Sequence, residues 1–301
     1  MLVLHPQGDS ARASHLTLDC NPCRLTSCDC HNVTVLQGAE KKAYSLGHHS
    51  LEETTSTDNP GGGGSGGGSG SDDHVIPDAV SDIDGNSYDA VQIGNQVWMA
   101  ENLRTTKYAD GTTIPMGNTW SYTEPYRYAP GPNQSNEENM DNVARYGYLY
   151  NWPAAMHGAS SSEANPSGVQ GICPNGWHVP SDAEWTELTN YMKTQPAYVA
   201  SDGVGHLAKA LAATWGWNSS SGTDVPGNDP STNNATGFSA LPAGYCNYGY
   251  YGNLGNYAEF WSATEGDEDR AFCRKLLYNS ANVNMNYCHK VEGISVRCVR
   301  D

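Results

Sequence analysis

Residues 173–192 read CPNGWHVPSDAEWTELTNYM. Pro180 ends an extended stretch, because its ring removes an amide donor and biases the residue before it away from helix. Ser181 is a strong helix N-cap, and Glu184 stands three residues on, which makes a capping box. Trp185, Leu188 and Met192 then share one helical face, with Glu184 and Glu187 elsewhere. A second, shorter helix is expected at 205–213, where Leu207 and Leu211 stand four apart.

Short strand patterns surround this unit. Residues 88–93 (YDAVQI) alternate, Gly94–Asn95 offers a turn, and 96–99 (QVWM) resume, which predicts a hairpin. Residues 146–152 (YGYLYNW) are a second strand candidate. After Gly237 the texture is FSALPAGY, AEFWSAT, AFCRKLLY and GISVRCVRD. In the last of these Ile294, Val296 and Cys298 point one way, and Ser295, Arg297 and Val299 the other. Many short strands with two helices predict an α+β domain rather than a parallel α/β one.

Residues 61–70 read GGGGSGGGSG, a flexible coil. The run divides the chain into an irregular Cys-containing tail (1–60), a Gly/Ser linker (61–72) and a body (73–301). A Gly/Ser run of this kind occurs both in natural tethers and in synthetic fusions. The opening MLVLHPQGD is short for a signal-peptide apolar region. Cys20 follows LTLD, which is not the small-residue setting of a lipoprotein cleavage site. The tail carries Cys20, Cys23, Cys28 and Cys30 beside His31. Their C-x2-C-x4-C-x-C spacing is no recognised zinc pattern, so disulfides or free thiols are the expectation.

The chain of 301 residues has 16 Lys+Arg against 33 Asp+Glu, a formal charge of −17. That excludes a nucleic-acid binder, which needs a basic surface. No run of about 18 apolar residues marks a membrane span. Hydrophobic residues make up only 38%, and aromatic usage is uneven: Tyr 18, Trp 8, Phe 3. Tyr and Trp suit positions where one end of the ring stays wet.

Six phrases in order carry a resemblance: DIDGNSYDAVQIGNQVWMAENLR, RYGYLYNW, GICPNGWHVPSDAEWTEL, GFSALPAGY, FWSATE and GISVRCVRD. From about Asp82 to Asp301 the chain resembles the major paralogous domain first noted in Fibrobacter and common on the surface of Bacteroidetes. The resemblance implies a C-type-lectin-like fold, with two helices and several short antiparallel strands. It also implies a binding role at the cell surface, often lipid-anchored or pilus-associated. Trp98, Trp152, Trp177, Trp185 and Trp261 stand in these phrases and are expected in the core.

Proteins of this fold also serve as variable proteins of diversity-generating retroelements, in which AAY Asn codons are randomised at template adenines. From Tyr245 onward, Cys246, Tyr248, Tyr250, Tyr251, Tyr257, Asp267, Asp269, Phe272, Cys273, Tyr287, Cys288 and His289 are all reachable from AAY. Glu259, Glu268, Met285 and Glu292 are not. An ordinary family member with a Tyr-rich surface is the alternative.

The resemblance also frames the chemistry. The EPN or QPD loop and WND strand of calcium-dependent lectins are not matched; Glu124–Pro125–Tyr126 and Trp217–Asn218–Ser219 are the nearest approaches. Asp267–Glu268–Asp269 offers hard oxygen donors, but reads as a solvated loop. The fold also hosts formylglycine-generating oxidases, which bind copper through a cysteine pair. Cys273 and Cys288 stand 15 apart, yet the flanking motifs are missing. Cys173 and Cys298 lie inside family-like phrases, and a structural disulfide between them is the expectation, with two buried free thiols as the alternative. Cys246, Cys273 and Cys288 leave an odd count.

The expected function is ligand binding without catalysis or cofactor, at the cell surface or outside the cell. The expected partner is a protein or glycan on another cell or surface. Candidate contacts are Tyr248, Tyr250, Tyr251, Tyr257, Asp267, Asp269, Phe272, Tyr287 and His289. Tyr supplies large amphipathic contact area at low entropy cost. A structural subunit of a surface filament, with self-association, is the second reading; the oxidase is the third.

Overall fold

In the hairpin predicted at 88–99, β5 (Ser87–Ile93) and β6 (Gln96–Met99) pair antiparallel, with Ile93 opposite Gln96. Gly94 takes φ +64 at the first turn position, as a two-residue primed turn requires. The structure is a computed structural model that describes residues 75–199 and 207–301. It also describes the backbone of three short tail strands.

Those strands are β1 (His15–Leu18), β2 (Asn32–Gln37) and β3 (Glu40–Ser45), paired antiparallel in the order β1-β2-β3. This short ladder is an addition to the irregular tail expected from sequence. Cys20, Cys23, Cys28, Cys30 and the linker 61–72 lie outside the described residues.

In the body, β4 (Val75–Ser81), β5, β6, β9 (Trp177–His178) and β15 (Val299–Arg300) form a sheet in the order β4-β5-β6-β15-β9. The last strand of the chain is thus inserted beside the first hairpin. A second sheet has the order β12-β13-β14: β12 (Tyr257–Glu265), β13 (Arg270–Leu277) and β14 (Asn284–His289). Two small pairs complete the set: β7 (Arg127–Tyr128) with β8 (Leu149–Tyr150), and β10 (Tyr245–Asn247) with β11 (Tyr250–Gly252).

The helix predicted from the capping box is α4 (Asp182–Lys193). Ser181 Oγ accepts from the Glu184 amide at 3.2 Å, and the Ser181 amide donates to Glu184 Oε2 at 2.9 Å. Trp185, Leu188 and Met192 are buried as the spacing requires. Trp185 meets Trp98 with ring centroids 4.4 Å apart. The second expected helix is the short α5 (Leu207–Leu211), with both leucines buried. Three more single-turn segments, α1 (Asn136–Asn139), α2 (Val143–Tyr146) and α3 (Trp152–Met156), escaped the sequence reading. They are too short to show a helical period.

Several strand expectations are corrected. FSALPAGY forms no strand before its last residue, Tyr245, which opens β10; Phe238–Gly244 makes one bridge, Ala240 to Ala212. Ser239 sits at φ 55, Gly244 at φ 68, and Pro242 has no amide to donate, so a ladder cannot run through it. YGYLYNW contributes only the two residues of β8, because Gly147 at φ 74 breaks it on one side and Asn151 caps α3 on the other. GISVRCVRD is a strand only at β15; Gly293, Ile294 and Ser295 make isolated bridges instead.

Its alternation nevertheless holds. Ile294, Val296 and Cys298 join one core cluster with Tyr88, Met99, Tyr150 and Trp261. Val299 joins the other, with Trp98, Trp185, Phe238 and Phe260. The C-terminal segment therefore runs between two apolar layers. Each large side chain buried there contributes about 1.5–3 kcal/mol. Trp98, Trp177, Trp185 and Trp261 are buried as expected, and Trp152 is half-buried with its indole donating to Ser262 O at 3.0 Å. The body is a mixed α+β domain with few helices and several short antiparallel sheets.

Candidate ligand-binding face

The hairpin β10–β11 closes on Asn247 opposite Tyr250, with Tyr248 and Gly249 as its two turn residues. Both have positive φ, 49 and 80. This turn conformation favours Asn-Gly, and a tyrosine in the left-handed region is uncommon. Backbone bonds between Cys246 and Gly293, at 2.9 and 2.7 Å, fix the hairpin to the C-terminal segment. A side chain at Gly293 would meet the Tyr128 ring at 2.5 Å, so only glycine permits this approach.

A second loop, 117–126, reaches the same place. Buried Asn151 holds it, its amide donating to Ser121 O at 3.2 Å and Glu124 O at 2.8 Å and its carbonyl accepting from the Tyr126 amide. Tyr128 hydroxyl donates to Thr119 O at 3.0 Å. The loop presents Trp120 and Tyr122. Trp120 lies edge-on to Tyr248 at 5.1 Å and to Tyr122 at 6.3 Å. The Tyr122 and Tyr248 hydroxyls are 3.1 Å apart. That bond, with some burial, pushes the Tyr122 hydroxyl up to about 12. His289 stands 6.4 Å from Tyr248. Trp120 is 48%, Tyr248 47% and Tyr250 60% exposed, so the cluster is surface, not core.

Along β14, Tyr287 meets Phe272 of β13 at 4.6 Å. Arg270, the register partner of His289, lies over the Tyr287 ring and pairs with Asp267. Asp267 and Asp269 are exposed in the β12–β13 turn. Two candidates sit elsewhere. Tyr251 is buried, packed with Tyr128 and Leu149, and its hydroxyl donates to Asn136 Oδ1 at 2.8 Å. Tyr257 is half-buried, stacked on Tyr245 and covered by the Lys275 ammonium. Strand alternation explains Tyr251: it faces inward between exposed Tyr250 and half-buried Gly252. Trp120 and Tyr122 lie outside the C-terminal tyrosine stretch; their signal in the sequence is the Trp/Tyr run at 120–128.

Polar groups lie buried near the hairpin. Lys275 Nζ is 2.6 Å from Glu259 Oε1, and Asn247 donates to Glu292 Oε1 at 3.0 Å. Burial, then the Glu259 charge, pushes Glu292 up to about 7. Glu259, Cys288 and Glu292 are close enough to share a metal ion. Cys288, however, is bonded to Cys273, so its sulfur offers no thiolate. The same bond occupies the pair that a copper oxidase would need. The expected disulfide Cys173–Cys298 is present. Cys246 is the unpaired thiol among the described residues, and burial pushes it up to about 11.

A family model, that of the Fibrobacter succinogenes major domain, matches residues 91–300. The chain belongs to this family. Neither a curated protein nor a solved structure matches it. The Fibrobacter succinogenes major domain thus covers most of the body, including both disulfides and every ring of the exposed cluster. No helix among the described residues is long and apolar enough to cross a membrane.

Proposed function

We propose that the body is a C-type-lectin-like binding module, displayed outside the cytoplasm, with no catalytic role. The observation that carries the reading is the exposed cluster of Trp120, Tyr122, Tyr248 and His289, extended by Tyr250 and Tyr287. Three separate segments, residues 117–126, 245–252 and 284–289, converge to build it. Exposed aromatics brought together this way are costly to leave in water and typify contact surfaces. The Cys173–Cys298 and Cys273–Cys288 disulfides support an oxidising compartment.

Diversification of the C-terminal region is part of the proposal. Tyr248, Tyr250 and Tyr287, reachable from AAY, are exposed positions. A reverse transcriptase gene beside this one, with a near-copy of the 3′ end differing at adenines, would establish it.

Binding is tested with a glycan array and with pull-down from candidate target cells. The combined change Trp120→Ala, Tyr248→Ala and Tyr250→Ala should abolish capture while leaving the thermal midpoint and near-UV dichroism in place. Capture that persists in this variant would place the ligand elsewhere.

A further inference from the structure

We propose that the aromatic face receives a basic protein partner, with an Arg or Lys side chain seated against Trp120 and Tyr248. This rests on the reading of that face as the binding site. Nearby cations are already committed. Arg270 is paired with Asp267, and Lys290 with Glu265 and the Glu268 carbonyl. Lys275 is held by Glu259. Around the face, Glu124, in the loop that carries Trp120 and Tyr122, and Glu268, in the β12–β13 turn, are exposed and in no ion pair among the described residues, and Asp269 beside them shares Arg270 with Asp267. The Lys290 amide donates to the Asp269 carbonyl at 2.9 Å, and Lys290 follows His289, whose ring stands 6.4 Å from that of Tyr248, so the acidic turn borders the aromatic rings. The chain as a whole carries −17.

Aromatic faces attract cations through the ring quadrupole, and guanidinium also stacks on them. Rings with an acidic rim therefore complement a side chain that joins an apolar stem to a positive head. An anionic ligand meets repulsion here. A neutral sugar would use the rings and donate hydroxyl hydrogen bonds to the carboxylates, but without the salt-sensitive charge attraction that a guanidinium or ammonium gains there.

The test uses the full chain, an oligoarginine peptide, an oligoglutamate peptide and an array of neutral glycans. Oligoarginine should bind, and its affinity should fall as salt is raised, since the rim charges are exposed and screened. Trp120→Ala or Tyr248→Asn should weaken it about tenfold. Asn tolerates the left-handed turn position, so that variant keeps the fold. Glu268→Gln with Asp269→Asn should have a similar effect. The same loss of charge at Glu138 and Glu187, outside the face, should change affinity less than about twofold. No binding of oligoarginine, or binding indifferent to Trp120→Ala, would overturn the proposal. Capture of a neutral glycan that depends on Trp120 but not on Glu268 and Asp269 would overturn the basic partner and keep the face. Glycan or peptide capture that none of these changes alters would remove the face as well.

Discussion

Arg297 is fully buried among Phe238 and Phe260, whose rings lie 4.5 and 5.5 Å from its guanidinium carbon. Burial pulls it down to about 9. Its fork donates to Asn102 Oδ1 and to the carbonyls of Met99, Phe238 and Ser239. Phe238 and Ser239 belong to the segment that fails to form a strand, so Arg297 takes up carbonyls that a ladder would have satisfied. Arg297→Met should leave them unpaired. At about 1–3 kcal/mol for each orphaned group, partly relieved by rearrangement, a loss of roughly 3 kcal/mol is expected in denaturant unfolding. His178 is a second residue-scale device. Its Nδ1 is 2.7 Å from Asp301 Oδ1 and its Nε2 2.7 Å from Glu184 Oε1. Burial opposes the charged ring, but the hydrogen bonds to the two carboxylates outweigh it, and the net shift is upward. The folded pKa therefore exceeds the unfolded value of about 6.5. The stabilisation is fully present below that value and is lost as pH rises through the folded pKa. Glu292 acts in the same direction: its folded value of about 7 exceeds the ordinary 4.5, so stability falls between those pH values as the carboxyl ionises in the unfolded chain while the buried one stays protonated. The denaturation midpoint should decline from pH 5 towards 8, by less in His178→Asn and in Glu292→Gln. A wild-type midpoint that rises over this range would refute both assignments.

Among elements, α4 and the β5–β6 hairpin were legible because each carries a local signal: a capping box with helical spacing, and a Gly turn between alternating runs. β10–β11 was not, since its turn holds Tyr248 where Asn is the usual signal. The left-handed region costs an ordinary residue about 1–2 kcal/mol. The edge contact with Trp120 returns about 0.5–1.5 kcal/mol. These nearly cancel, so Tyr248→Asn should shift unfolding free energy by less than about 1 kcal/mol, while ligand affinity falls about tenfold. A loss of several kcal/mol would make Tyr248 a structural residue. The candidate face was half-legible for the same reason: composition located the C-terminal tyrosines. It gave no sign that the loop held by Asn151 would bring Trp120 and Tyr122 to meet them. Nor could it tell Tyr251, on the inward side of β11, from its exposed neighbour.

At the scale of the molecule, the body closes on itself. β15 lies between β6 and β9, and Cys298 is bonded to Cys173 across a sequence separation of 125. That closure was legible from the family-like phrases around both cysteines, whereas the alternation of 294–299 gave the two-layer burial without saying which layers. The bond Cys273–Cys288 closes a separation of 15, inside one strand pair. Chain entropy assigns about 5 kcal/mol to the long closure and about 3 kcal/mol to the short one. The short bond also lies in the strands that carry Phe272 and Tyr287. Removing Cys173–Cys298 by double Ser substitution should therefore cost the larger fraction of unfolding free energy, yet leave the aromatic face assembled in whatever fraction stays folded. Removing Cys273–Cys288 should cost less stability but more ligand affinity per folded molecule, because the β13–β14 ladder that positions Tyr287 and His289 loses its covalent tie. Denaturant titration and binding measured on the same two variants separate these effects. Equal losses of affinity from both would show that the face depends on global stability, and that the short bond has no separate hold on it.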